Sequence, residues 1–372
     1  MKLKNILIVG AGFSGAVVAE QLSKTGKYNI TVIDKRNHIG GNCHTEMDPE
    51  TNILVHKYGP HIFNTNDLDV WNYVQSFGKF NNYTNRVKVK SGNAIYSFPI
   101  NLHTINQFFN KSLTPSEAAK FIDQKRDKSI VEPRNFEEQA LAMIGKDLYE
   151  AFMYGYTKKQ WGCEPKKLPA SILKRLPLRF NYDDNYYNKI YQGIPEDGYS
   201  RIIENMLSHK NIRVLLNTPF DTHFDTSAFE HVFYSGPMDY FFNYKYGRLS
   251  YRTMVFEEHR ADGDYQGNAV INYTDTTVPY TRIHEHKHFA SHKSYEKTIY
   301  FKEYSKETEI GDEPYYPKHL KADKELLQKY NAEAVKLQNV TFLGRLGTYR
   351  YMDMELIIKE AINISKKFTT KN

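Results

Sequence analysis

The chain has 372 residues, a net charge of +7, 25% charged and 40% hydrophobic residues, which excludes general disorder and, at roughly 100–200 residues per domain, leaves room for two or three. No segment approaches the ~20 apolar residues that span a bilayer, and Cys43 and Cys163, neither in a CxxC pair, cannot build a disulfide framework or a zinc site alone. A reducing cytoplasm is the expected location, and 29 Tyr and 22 Phe against 2 Trp provide flat faces with hydroxyl handles, suited with the positive balance to an anionic ligand that contains a ring.

Asn5 to Val9 is an apolar run that stops at glycine, Phe13 to Leu22 has helical spacing, and Tyr28 to Ile33 is β-branched and ends on Asp34. This order predicts strand, tight turn, helix and a second, parallel strand. The turn, Gly10-Ala11-Gly12-Phe13-Ser14-Gly15, matches GxGxxG. Its glycines would serve the turn, the approach of a diphosphate and helix packing, while Asp34 holds a ribose hydroxyl pair. A second glycine pair, Gly40-Gly41, lies in Lys35 to Asn42 just after the acid. It lets another backbone stretch approach the same diphosphate, which favours FAD over NAD. No second GxGxxG follows, so the separate nicotinamide domain of a two-dinucleotide reductase is missing.

Thr84 to Lys90 and Ala94 to Phe98 read as a hairpin around Ser91-Gly92-Asn93. Thr114-Pro115-Ser116-Glu117 and Asn135-Phe136-Glu137-Glu138 read as helix starts within a helical insertion. Strands are expected again at Ile212 to Leu216 and His231 to Tyr234, and a mainly antiparallel sheet from Arg252 to Glu257, Ala269 to Tyr273 and Ser294 to Tyr304. Near the end, Val340 to Leu343 reads as a strand, Gly344-Arg345 as a turn and Met354 to Ile364 as an amphipathic helix. The expected fold is therefore α/β: a Rossmann-like FAD-binding domain with a helical insertion domain and an antiparallel β-sheet domain. The expected boundaries are 1–80, 201–250 and 326–372 for the FAD-binding domain, 81–100 and 251–325 for the sheet domain, 101–180 for the helical substrate domain and 181–200 for a linker or further sheet segment.

Several longer runs are more specific than any single motif. Lys35 to Asn42, His56 to Phe63, Gly155 to Gly162, Tyr191 to Pro195, Gly267 to Asn272, Pro279 to Arg282 and Gly311 to Pro317 together resemble bacterial UDP-galactopyranose mutase, from the N-terminus to Asp353. The resemblance implies a redox-neutral flavoenzyme that interconverts UDP-galactopyranose and UDP-galactofuranose, with N5 of reduced FAD as the nucleophile at the anomeric carbon. Such an enzyme supplies galactofuranose for cell-surface polysaccharide. It implies that Arg175, on a mobile loop, and Arg282 face the diphosphate, as guanidinium forks suit it. Phe152, Tyr156, Thr157 and Trp161 would line the uridine side on one helix, and the hydroxyls of Tyr186, Tyr316 and Tyr351 would reach the diphosphate. His61, Ile62, Arg345, Tyr351, Met352 and Asp353 would lie at the flavin, His61 with a catalytic role alongside the two arginines, and Asn85, Arg252, Asn272 and Glu303 near flavin or sugar. The implied partners are a UDP-sugar and NAD(P)H or another reductant as activator, in a homodimer without nucleic acid or membrane span.

Asn64 departs from the family pattern, where a histidine is frequent, and Tyr187 replaces a frequent phenylalanine. The first puts the hexose in question, including an N-acetyl group at C2, so UDP-N-acetylgalactosamine is an alternative substrate. A flavin amine oxidase-like oxidoreductase, a second alternative, predicts an apolar tunnel; a nucleotide-binding module without catalysis is a third. His284, His286 and His288 would share one face of a strand, but HExxH is absent, and no metal is expected.

Overall fold

The structure, a computed structural model, describes residues 3–173, 177–221, 223–290 and 293–371. Strand Lys4–Val9 pairs in parallel with Tyr28–Ile33 on one side and His231–Tyr234 on the other. Val340–Phe342 and Ile212–Leu215 complete a parallel five-stranded sheet. The central strand is buried on both faces, Ile6 and Ile8 packing with Val17, Val18 and Ile358, and Leu7 and Val9 with Val232 and Tyr234. Hence no polar alternation interrupts its sequence. Helix Phe13–Ser23 packs against this sheet and against the C-terminal helix Met354–Lys371. The chain thus leaves the first sheet and returns to it twice.

Hairpin Val87–Ser91 and Ala94–Phe98 forms one edge of a seven-stranded sheet. Beyond it lie Val270–Tyr273, Arg282–Glu285, Lys297–Glu307, Tyr251–Asp262 and Tyr316–Pro317, antiparallel to one another. The joint between Val87–Ser91 and Val270–Tyr273 is parallel, because the hairpin comes from an earlier part of the chain and joins without a connecting turn. Helices Leu102–Phe108, Pro115–Lys125 and Phe136–Leu148 begin on Asn101, Thr114 and Asn135, each accepting a backbone N–H of its first turn; Thr114 and Glu117 form a reciprocal capping box.

Three local expectations change. Tyr149–Tyr154 is a π-helical stretch leading into helix Gly155–Trp161, so Phe152 and Tyr156 are not one regular turn apart on a single α-helix. Gly344-Arg345 opens a short helix, Gly344–Gly347, rather than a turn. The three histidines do not share a strand face. Strand Arg282–Glu285 gives way to the 3-10 segment His286–Ala290, as the His286 ring is drawn against Phe289 and Phe301 in the core. His288 instead reaches Asp264 and Glu285. The Glu285 oxygens already accept from the Tyr265 and Gln266 amides and the Thr298 hydroxyl, so this group closes on itself.

Candidate active site

A cavity of about 380 Å³ opens at the carboxyl ends of the parallel strands, where open α/β sheets hold their ligands. Gly10 turns the chain at φ +104°, and Gly15 has no room for a side chain: a Cβ there would fall 2.0 Å from the Gly10 carbonyl oxygen. Gly12 differs. A Cβ on it would meet only the backbone around Gly40 and Gly41, no closer than 3.6 Å, so the two glycine stretches present a side-chain-free strip to the cavity. Helix Phe13–Ser23 starts there without a side-chain cap, leaving its first N–H groups for an anion. Asp34 is fixed at the strand end, Oδ2 accepting from Ala11 N at 2.9 Å and Oδ1 from Arg36 N at 3.0 Å. Strip, helix N-terminus and oriented carboxylate fit the diphosphate and ribose of FAD. Phe13, Ser14, Lys35 and Asn42 line the same cavity.

A second cavity, of about 400 Å³, lies between the helical region and the seven-stranded sheet, and His61, Arg345 and Met354 line both. Arg282 and Glu303 are cross-strand partners, with Arg282 Nε donating to Glu303 Oε2 at 2.9 Å and His284 Nε2 3.3 Å from the same oxygen. Glu303 is fully buried; burial pushes its pKa up, but Arg282 and His284 outweigh this and hold it at about 2. Burial pulls the Arg282 pKa down, and Glu303 more than reverses it. Both groups are charged. Among the described residues the Nη groups of Arg282 make no hydrogen bond.

Phe152, Tyr156, Thr157 and Trp161 form one wall, and Asn85, Tyr186 and Asn272 line the same space. Tyr316 and Tyr351 are stacked at 5.8 Å and 15°, with the Arg345 guanidinium 5.3 and 5.2 Å from their ring centres. Arg345 also donates to the carbonyls of Met352 and Tyr315, so it braces the segment that carries Tyr351 and Asp353. Burial raises the phenol pKa of Tyr156, Tyr187 and Tyr316, keeping each a neutral donor. His61 directs Nδ1 to the Gly59 carbonyl at 2.7 Å; as a carbonyl only accepts, the proton sits on Nδ1 and Nε2 is an acceptor. Burial lowers its pKa to about 4.

Other expected site residues are placed differently. Arg252 lines neither cavity: it is 3% exposed, donates to Gln160 O and Ser305 Oγ, and pairs with Glu307 at 2.7 Å. Ile62 lines the second cavity rather than the dinucleotide cleft, whereas Met352 and Gly15 line neither. Arg175 lies outside the described residues. Arg179, a residue with no sequence signal, is buried and holds Asn185 and Asn188 on either side of Tyr186 and Tyr187. Asn64 lines the second cavity, its amide donating to Ile62 O. Lys189 and Glu355, paired at 3.0 Å, were also unmarked in the sequence and line it too.

Burial lowers the pKa of His56 to about 3, and of His61 and His231 to about 4, against about 6.5 in an unfolded chain. Unfolding therefore takes up protons at intermediate pH. Their contribution to stability is fully present above pH ~6.5 and is lost as pH falls toward ~4 and below. Thermal midpoints should be level near neutrality and decline through this window, with net proton uptake on unfolding. A level midpoint throughout that window would contradict it.

Comparison with known proteins places these features in context. A family model described as UDP-galactopyranose mutase matches residues 151–351, and one described as NAD(P)-binding Rossmann-like domain matches residues 8–77. A Klebsiella pneumoniae protein named probable UDP-galactopyranose mutase is 54% identical over 99% of this chain and 95% of its own. An Escherichia coli dTDP-fucopyranose mutase is 47% identical over all of both chains. A crystal structure of reduced UDP-galactopyranose mutase superposes with a TM-score of 0.78 at 15% identity, covering 100% of this chain and 95% of that one. A redesigned putrescine oxidase superposes at 0.62 and 11%, covering 99% and 100%; at such identities the likeness is one of fold.

Proposed function

The chain belongs to the UDP-galactopyranose mutase family, a family of FAD-dependent enzymes, and from that premise we propose that it interconverts UDP-galactopyranose and UDP-galactofuranose without net redox change. The observation that carries this reading is the Arg282–Glu303 pair in a tyrosine-walled cavity that meets the dinucleotide cleft at His61 and Arg345. That lining is not the apolar tunnel an amine oxidase-like reading requires.

The chemistry available at the anomeric carbon is that of reduced FAD when bound, a nucleophile through its N5. The protein's residues bind, orient and neutralise. Arg282, its Nε committed to Glu303, turns its remaining donors to the diphosphate, which is both binding handle and leaving group. Buried Glu303 keeps that guanidinium from collapsing onto another acceptor. Tyr156 with Phe152 and Trp161 offers stacking faces to the base. Tyr186, Tyr316 and Tyr351 would donate to phosphate oxygens, and Arg175 would add a second guanidinium to the diphosphate. Neutral His61 would present the Nε2 lone pair at the junction. We further propose that a reductant such as NAD(P)H acts as an activator, that the working unit is a homodimer, and that the product feeds cell-surface polysaccharide from the cytoplasm.

A second reading, the same contraction on dTDP-fucopyranose, follows from the relative of that name and the Asn64 departure. The test is anaerobic incubation with UDP-galactofuranose, with and without dithionite, followed by chromatography of the sugar nucleotides. UDP-galactopyranose should appear only after reduction, with no reductant consumed in proportion to product. Preferential conversion of a dTDP-fucose or N-acetylgalactosamine nucleotide would replace the substrate. No conversion of any of them with reduced flavin bound would overturn the proposal.

A further inference from the structure

Lys159 stands on helix Gly155–Trp161 but does not line the cavity. Its Nζ ends among four main-chain carbonyls: Asp275 at 2.8 Å and Tyr273, Val278 and Tyr280 at 2.9 Å. All four belong to one short stretch, 273–280, which wraps around the ammonium. An ammonium has three N–H donors, so the stretch supplies more acceptors than a lysine needs. Four carbonyl dipoles converging on a point repel one another unless a cation sits at their focus.

This loop joins two strands of the candidate site. Asn272 immediately precedes it, and Arg282 follows two residues after Tyr280. The helix is seated directly on the loop: a Cβ at Gly155 would fall 2.0 Å from the Thr274 carbonyl oxygen. At its other end, Arg252 donates to Gln160 O at 3.1 Å and Lys159 O at 3.4 Å, beneath Gly162, where φ is +63° and a Cβ would strike the Arg252 guanidinium. Tyr156 and Trp161 on this helix therefore stand at a spacing from Arg282 that the caged ammonium helps to set.

We propose that Lys159 is a positioning residue for nucleotide recognition: its carbonyl cage fixes the loop of Arg282 to the helix of Tyr156, so that base and diphosphate are engaged together. This rests on reading both elements as nucleotide-binding. The cage also has the chemistry of a monovalent-cation site, since rings of carbonyl oxygens replace the hydration shell of K⁺.

The test is UDP binding by the FAD-loaded protein. In Lys159→Ala, affinity should fall about tenfold or more in lithium or tetramethylammonium chloride. It should recover in ammonium or potassium chloride of equal ionic strength, while the unsubstituted protein shows no such selectivity. Affinity within about twofold of the unsubstituted protein in every salt would overturn the proposal. So would a loss indifferent to the cation, which assigns the effect to packing of the stem. If Lys159→Ala does not fold, Lys159→Gln decides: its amide partly fills the cage, so weaker UDP binding without salt rescue is expected, and undiminished binding overturns the role. If the unsubstituted protein itself fails to bind UDP, the nucleotide reading has failed. The cage is then judged by whether the melting temperature of Lys159→Ala rises selectively with ammonium and potassium.

Discussion

Arg282→Ala should lower turnover by two to three orders of magnitude, about what losing one preorganised donor to developing charge costs, and it should also destabilise the protein. The second effect comes from Glu303. With its Nε–H donor at 2.9 Å removed, a fully buried carboxylate keeps only His284 at 3.3 Å and a long contact from the Thr281 hydroxyl at 3.4 Å, and breaking a buried pair from one side costs about 3–5 kcal/mol. The two effects separate in the double variant Arg282→Ala/Glu303→Gln. Neutralising the stranded acid should recover much of the melting temperature and none of the turnover, because the diphosphate still lacks its fork. Arg282→Lys keeps the charge but not the planar geometry, and should fall between. If the double variant regains turnover with stability, Arg282 serves the fold and has no direct part in the reaction. Thermal denaturation and steady-state rates of the reduced enzyme on the same four proteins decide it.

Gly12→Ala should fold like the parent and lose FAD, whereas Gly15→Ala should lose the fold around it. The distinction is geometric. At Gly15 the new methyl would lie 2.0 Å from the Gly10 carbonyl oxygen in the turn and 2.9 Å from Ile8 Cγ2 in the sheet core, so the helix must separate from its strand. At Gly12 φ is −86° and the nearest atom would be 3.6 Å away, ordinary contact that strains nothing in the protein alone. The methyl instead occupies the strip where a diphosphate approaches the backbone. Circular dichroism near that of the parent, with no flavin absorbance after purification, is the expected result for Gly12→Ala. Normal flavin content would place the diphosphate elsewhere.

The first 43 residues were legible because everything they do is local. Strand, turn, helix and acid lie within one βαβ unit, and the positive φ of Gly10 and the tight packing of Gly15 on Gly10 and Ile8 are demands made within that unit. The cap residues Thr114 and Asn135 were readable for the same reason, since their partners are three residues away. The longer ordered runs carried the family itself. Other features depended on pairings that periodicity does not encode. The parallel joint between Val87–Ser91 and Val270–Tyr273 spans nearly half the chain. The family resemblance puts Arg252 near flavin or sugar, but tertiary packing turns its guanidinium to the end of helix Gly155–Trp161 and to Glu307.

What the sequence by itself determined is the cofactor cleft, the order of the domains' elements and the inventory of chemical groups, all properties of short-range pattern and residue type. What only the tertiary structure decided is which of those groups face the same space. Glu303 keeps its charge, against the effect of burial, from Arg282 and His284 beside it, His61 takes its neutrality from burial, with the Gly59 carbonyl fixing its tautomer, and Lys159 its four carbonyls from a loop more than a hundred residues away. Desolvation and long-range hydrogen bonding exist only once distant segments meet, and so no reading of neighbours along the chain contains them.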